Sequence, residues 1–353
     1  MVGADGALPL PWLAAALQEG LQRRAHALLV HGPEGVGQFE LAIALAQGWL
    51  CEAPAAVATR PCSACAACRL VQAHTHPDLL VLLPEALREP LGWAPAGVEG
   101  EEGGDRAGKA KPSKEIKVEA VRAAVAFAQT TSARGRGKVL VLHPAERINA
   151  IASNTLLKTL EEPPGHARFV LSCGAPDQLM PTIRSRCQDL ALLLPAQEEA
   201  VAWLKARGAA EPSVILAACG GRPLQALQWL EEGVDARLWA RLPALLAQGE
   251  AAPFSTWPLA RLVEALQKVC HDALCVASGA PPRYFPDGAM TPGADIAALT
   301  DWAQSLRRIA RHDEHPWHPG LMVEALVDEA RRTLAPRGTA STRRPGNSVH
   351  LRA

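Results

Sequence analysis

The sequence predicts an α/β fold built on a parallel sheet over residues 1–195, followed by all-helical segments to about residue 335. Three observations carry this. Short apolar runs alternate with helical patterns through the first 195 residues. A glycine-rich loop, Gly32–Gly37, joins one such run to a helix. The last third repeats apolar residues at helical spacing, and the whole chain is rich in Ala and Leu with only 4% aromatic residues, a composition that favours helix over sheet.

Composition bounds the function classes. The 353 residues are 48% hydrophobic, so whole-chain disorder and collagen-like structure are excluded. The 36 Lys+Arg balance 36 Asp+Glu, which points away from a free-standing nucleic-acid binder, whose footprint is net basic. No apolar run reaches the roughly 18 residues of a membrane span. The opening MVGADGALPLPWLAAALQEG carries no Lys or Arg ahead of its apolar run, unlike a secretory signal. A cytoplasmic protein is expected.

Along the chain, Ala27–His31 reads as a buried strand and the pattern through Leu41, Ala42, Leu45 and Ala46 as a helix. Strand, glycine loop and helix are the setting of a phosphate-binding loop, G-x-x-x-x-G-K-[ST]. Gly32 and Gly37 occupy its glycine positions. Gln38 stands where Lys would reach the phosphates, and Phe39 where a hydroxyl would hold Mg²⁺. A second strand, Val139–Leu142, leads into His143-Pro144 where an active site of this kind carries an acid; Glu146 lies three positions past His143, too far along to substitute. Two losses at one site agree, so a shaped loop without nucleotide chemistry is expected.

Nine cysteines without a signal argue against a disulfide framework. Four of them, Cys51, Cys62, Cys65 and Cys68, follow the spacing Cys-x10-Cys-x2-Cys-x2-Cys. That spacing can close a tetrahedral zinc site, against the bland reading of incidental thiols. An iron–sulfur run would place a further Cys and then Pro after the third, whereas Arg69 and Leu70 follow Cys68. Four thiolates leave no open position, so the expected Zn²⁺ is structural. The other five cysteines read as core residues.

Residues 85–113 hold six glycines and three prolines, with six acids against one Arg up to Asp105, and read as a mobile surface loop. From Asp105 to Lys138 the sign reverses, with nine Lys/Arg against three acids: a solvated helix face or a phosphate-contacting one. Residues 196–240 read as short helices. Leu259–Cys275, Ile296–Ile309 and Leu321–Leu334 are amphipathic, consistent with a helical bundle over 241–335. The tail 336–353, which holds four Arg and no acid, is expected to be disordered.

Several of these segments resemble the bacterial clamp-loader AAA+ family. Asn154-Thr155-Leu156-Leu157-Lys158-Thr159-Leu160-Glu161-Glu162-Pro163-Pro164 is similar to its helix signature, and Pro181-Thr182-Ile183-Arg184-Ser185-Arg186-Cys187 carries its Ser-Arg-Cys motif. The strand 169–172 takes the place of the strand before the sensor-1 position. His74–Asp78 and the four-Cys insertion after the loop helix add to the likeness, as does Gly220–Leu227, which resembles the small helical lid. The resemblance implies an AAA+ (P-loop NTPase-like) domain at 1–195 with a zinc insertion at 51–68, a lid at 196–240 and an all-α collar at 241–335. It also implies a hetero-oligomer with the clamp-loader ATPase (gamma/tau) and delta subunits, acting on the sliding clamp and primer-template DNA. Within the family the broken loop points to a non-hydrolysing subunit of the polymerase holoenzyme, with an ATP-hydrolysing subunit as the alternative. Arg186 is the implied arginine finger, reaching the ATP of a neighbouring subunit, with pairing to a carboxylate within its own fold as the alternative. Arg184 is expected to be the structural arginine, on the argument that alternate residues of an extended segment face opposite ways.

Overall fold

A computed structural model describes residues 1–54, 60–93, 112–311 and 319–335. The chain divides into two compact units, Met1–Trp203 with Arg222–Gln225, and Leu204–Gly221 with Ala226–Ala353.

The first unit is an α/β structure. Its elements are α1 (Ala14–Gln22), β1 (Ala27–His31), α2 (Gln38–Leu50), α3 (Ala66–Gln72), β2 (Leu79–Leu82), α4 (Glu85–Arg88), α5 (Val118–Gln129), β3 (Val139–Leu142), α6 (Ala150–Glu161), β4 (Arg168–Cys173), α7 (Pro181–Arg184) and β5 (Gln188–Ala191). The five strands form one sheet in the order β2-β3-β4-β1-β5. All its pairings are parallel, with Leu29 opposite Leu171 on one side and Asp189 on the other, and Val141 opposite Val81 and Val170.

β1 and β3 read as unbroken apolar runs because helices cover both faces of a parallel sheet. Every residue of β3 is buried, and so is β1 up to Val30. Against one face pack Val121, Ala124 and Ala128 of α5 and Ala152, Leu156 and Leu160 of α6, with Phe169 of β4 among them. α6 starts where the Asn149 carboxamide oxygen accepts from the Ala152 amide at 2.9 Å. Two prolines, Pro163 and Pro164, follow it and cannot continue a helix.

β1 and β3 have the predicted limits, and β4 is one residue longer at each end than the predicted 169–172. β2 and β5 complete the two edges without having been singled out in the sequence. The region 85–113 differs from the expectation in part. Glu85–Arg88 is a helical turn, pinned where Glu85 accepts from Lys117 at 2.6 Å and from the Ser113 amide at 3.2 Å. The remainder of that loop, 94–111, and the tail 336–353, for which mobility and disorder are expected, lie outside the described residues.

Past residue 195 the described chain is helical: α8 (Gln197–Lys205), α9 (Pro212–Ala218), α10 (Pro223–Glu231), α11 (Ala236–Gln248), α12 (Leu259–Ala277), α13 (Ile296–Ala310) and α14 (Pro319–Leu334). The three amphipathic segments correspond to α12, α13 and α14. In this second unit Trp239 stacks on Phe285 at 4.6 Å, and Trp302 is 2% exposed. Asp272, fully buried, accepts from the amides of Tyr284 and Phe285 at 2.7 and 3.0 Å, which ties the loop after α12 back to the helix. Among the described residues no helix is long and apolar enough to cross a membrane.

Candidate functional site: a closed glycine loop, a four-cysteine cluster and a paired arginine

β1 delivers the chain into the glycine loop, and α2 leaves it at Gln38. Glycine is required at both ends. A Cβ on Gly32 would lie 2.3 Å from the Leu192 carbonyl oxygen, and Gly37 has φ of 112°. Gln38 turns back into the loop, its Nε2 donating to the carbonyls of Gly32 at 2.7 Å and Pro33 at 2.6 Å. The side chain is 5% exposed and brings no charge. Other parts of the unit close the loop from outside: the Leu224 amide donates to the Gly35 carbonyl at 3.1 Å, and the Trp12 indole to that of Val36 at 2.8 Å.

Phe39 is 7% exposed and packs on the His143 ring, centroid to centroid 5.1 Å, with Trp93 at 6.3 Å. His143, at the end of β3, shares a 3.0 Å hydrogen bond with Ser172 Oγ on β4. Burial pulls its pKa down to about 4, against a small opposing effect of Ser172, so the ring is neutral at pH 7. Glu146 is engaged elsewhere: its Oε1 accepts from the Gly174 and Ala175 amides at 2.8 and 3.2 Å. Positions 38, 39 and 143 thus present a glutamine, a phenyl ring and a neutral imidazole, while Arg222 lies beside Gly35.

The four cysteines come together. Their sulfurs all lie within 4.8 Å of one another, and Cys62 and Cys68 are 4.0 Å apart. Tetrahedral zinc with Zn–S of about 2.3 Å places sulfurs about 3.8 Å apart, so the cluster is close to that geometry. Backbone amides already point at the sulfurs: Cys62 N to Cys51 at 3.5 Å, Cys65 N to Cys62 at 3.4 Å and Cys68 N to Cys65 at 3.4 Å. The last of these is also the cap of α3. Such donors favour thiolates. Burial opposes ionisation of Cys62, but the amides of Cys65 and Ala64, with hydrogen bonds from the Cys51 and Cys65 side chains, outweigh it and bring the thiol to about 7. In Cys51 and Cys68, burial dominates and pushes the thiols up. The donor set, four soft ligands with amides behind three of them, suits a metal that displaces protons on binding.

Arg186 and Arg184 depart from the sequence argument. Pro181–Arg184 is one helical turn, and Ser185 continues in helical conformation, so face alternation along an extended segment does not apply. Arg186 is the better held of the two. Its Nε donates to Glu161 at 2.7 Å, Nη2 pairs with the same carboxylate, and Nη1 donates to the Thr182 carbonyl at 2.8 Å. Arg184 reaches only Asp177, at 3.3 Å, and both of those side chains are exposed. Glu161 ends α6, so its pairing joins the helix signature to the Ser-Arg-Cys segment. Nothing in the spacing of 161 and 186 announces that contact; the two segments were singled out separately.

The buried pair of Asp78 and Lys138 was also invisible in the sequence. Asp78 is fully buried and 3.1 Å from Lys138, and it accepts from the Ala133 and Arg134 amides at 2.8 and 2.9 Å and from Ser132 at 2.9 Å. Burial opposes its ionisation, but those two amides, with Lys138 and Ser132, outweigh it and hold the carboxyl below its ordinary value.

A family profile described as DNA polymerase III, delta subunit, matches residues 12–195, just over half of the chain. The chain is 37% identical over 230 residues to DNA polymerase III subunit delta' of Pseudomonas aeruginosa, covering 64% of this chain and 62% of that one, less than two thirds of the relative's length. It is 31% identical over 283 residues to subunit delta' of Escherichia coli K12, covering 73% and 76%. A shorter likeness, 33% over 174 residues, reaches subunit tau of the same organism and covers 49% of this chain and 22% of tau. The profile's residues 12–195 take in the sheet, the glycine loop and the cysteine cluster, and with the likeness to the two delta' subunits the chain belongs to the family of DNA polymerase III subunit delta'.

Proposed function

We propose that the chain is a non-hydrolysing subunit of a bacterial clamp loader, an assembly that places a sliding clamp on primed DNA. Its own loop binds no catalytic Mg²⁺–ATP. Its contribution is positional: it joins the ATPase (gamma/tau) and delta subunits through an AAA+ domain at 1–195, a lid at 196–240 and a collar at 241–335. It supplies Arg186 to the ATP of a neighbour. Zinc held by Cys51, Cys62, Cys65 and Cys68 braces the insertion and does no hydrolysis, because four thiolates leave no coordination position open.

The observation that carries this reading is the chemistry around the loop. Phosphoryl transfer needs cations at the phosphates and oxygen ligands for Mg²⁺. Gln38 is neutral and hydrogen-bonded to the loop's own carbonyls, Phe39 has no ligand atom, and His143 is neutral and bonded to Ser172. The reading as an ATP-hydrolysing subunit requires a charge at position 38 that this chain lacks.

The experiment is in two parts. The purified chain alone is expected to show no ATP turnover above a blank, while a loader reconstituted with ATPase and delta subunits, sliding clamp and primed DNA is expected to load clamps only when this chain is present. A robust ATPase rate in the isolated chain that falls on substitution of Gln38 would overturn the non-hydrolysing role. Clamp loading at full rate without the chain would overturn its place in the loader.

A further inference from the structure

The glycine loop lies at the end of the sheet where β1 and β3 finish. At the opposite end, where β3 begins at Val139 and β4 at Arg168, there is a cleft of about 280 Å³. Arg60, Arg136, His166 and Arg168 line it together with Trp49. The Arg168 guanidinium lies over the Trp49 ring at 4.8 Å, and burial lowers its pKa, which marks a cation partly stripped of water. Among the described residues no carboxylate forms an ion pair with Arg60, Arg136 or Arg168, and no acidic side chain lines the cleft. Arg60 donates to the Ala53 carbonyl at 2.9 Å, and Arg136 makes no described hydrogen bond.

This divides the basic run Arg134-Gly135-Arg136-Gly137-Lys138. Arg134 is taken by Glu52 at 2.6 Å and Lys138 by Asp78 at 3.1 Å, whereas Arg136 is left at the cleft. The backbone sets it there. Gly137 has φ of 101°, and a Cβ on it would lie 2.4 Å from the His166 carbonyl oxygen, so the loop before β3 presses against the residue two positions ahead of Arg168. A plain structural reading is that these cations offset the negative end of α2, whose last turn supplies Trp49. A helix terminus amounts to only about half an elementary charge, far less than three permanently charged guanidiniums. Among the described residues no carboxylate pairs with the excess positive charge.

We propose that this cleft binds a phosphate group, either free as phosphate or pyrophosphate or as part of a nucleic-acid strand. Guanidinium forks match phosphate oxygens in pairs, and arginines converging without carboxylates suit an anion that brings several acceptors. The inference does not rest on the clamp-loader reading, since it uses none of the glycine loop, the cysteines or Arg186.

The test titrates the full chain at low salt with inorganic pyrophosphate by calorimetry and, separately, with a fluorescent single-stranded oligothymidine by anisotropy. Arg136→Ala is the informative variant, because the side chain is exposed and holds nothing in the fold. It is expected to weaken binding about tenfold, the loss of one charge-assisted contact. Arg122→Ala, which removes the same charge from the exposed face of α5, is expected to leave affinity unchanged. Saturable pyrophosphate binding without oligonucleotide binding assigns the site to free phosphates. Oligonucleotide binding that pyrophosphate competes away assigns it to a strand backbone. No saturable binding of either probe, or equal weakening by the Arg136 and Arg122 variants, overturns the proposal.

Discussion

Single residues decide more here than their number suggests. Arg186 is bonded to Glu161 and to the Thr182 carbonyl, which ties the segment after α7 to the end of α6. Its proposed role in trans predicts that Arg186→Ala assembles normally but that DNA-stimulated ATP hydrolysis by the reconstituted loader drops by about 10³-fold or more, as for arginine fingers elsewhere. Arg184→Ala, which loses only an exposed contact to Asp177, should leave that rate nearly unchanged. An Arg186 variant that hydrolyses ATP and loads clamps at the normal rate would falsify the finger. A second residue-scale expectation concerns Asp78. Removing one partner of a buried ion pair leaves the other uncompensated at a cost of about 3–5 kcal/mol. Asp78→Ala strands Lys138, which is 7% exposed, and should lower unfolding free energy by that amount in urea titration. A loss below about 1 kcal/mol, the value of a surface pair, would mean that the buried network does not behave as one.

At the scale of elements, the cysteine cluster and α3 form one device. Cys65 is at once a predicted ligand and the cap of α3, so metal binding and helix initiation share an atom. The Cys62→Ser, Cys65→Ser double variant is expected to fall from about one zinc per chain to none by elemental analysis. Amide exchange over Ala66–Gln72 should accelerate at the same time, because closing the site and folding the segment are coupled. Full zinc retention in the double variant would remove the assignment. In the glycine loop and α2 the organising contacts come from the fold itself. Gln38 bonds the loop's carbonyls and Phe39 joins the packing around His143, which connects the strand, loop and helix through their own side chains.

For the whole molecule, acid stability follows from groups buried in defined protonation states. His143 has its pKa lowered by burial from 6.5 to about 4. Below pH 6.5 the unfolded chain takes up a proton that the folded chain refuses until about pH 4, so stability falls as the pH falls through that window. Asp78, whose folded pKa is also depressed, contributes stability that is present above its unfolded value and lost at lower pH, as the folded carboxyl protonates. Urea midpoints measured from pH 7 to pH 4 should therefore decline, and His143→Gln should flatten the upper part of that decline. An unchanged slope in that variant would show that His143 is not the titrating group.

The sequence by itself determined the α/β class, three strands of the sheet, the three amphipathic helices of the last third and the four cysteines. Each of these is a local signal: an apolar run, a period or a ligand spacing. Gln38 and Phe39 were equally readable as departures from a loop motif, because the motif defines what each position must supply. β2 is a four-residue apolar run as long as β3, but no loop motif calls for a strand at that position. β5 was hidden for a different reason: it is an edge strand with a single buried residue, Leu190, so neither alternation nor continuity marks it. Only the tertiary structure decided that Arg186 meets Glu161, that Asp78 meets Lys138, and that a basic run divides between two internal carboxylates and an open cleft. These contacts join residues 25, 60 and 82 positions apart, between Arg186 and Glu161, Lys138 and Asp78, and Arg134 and Glu52. Parallel strand order brings such residues together, and no local pattern encodes a distance across the sheet.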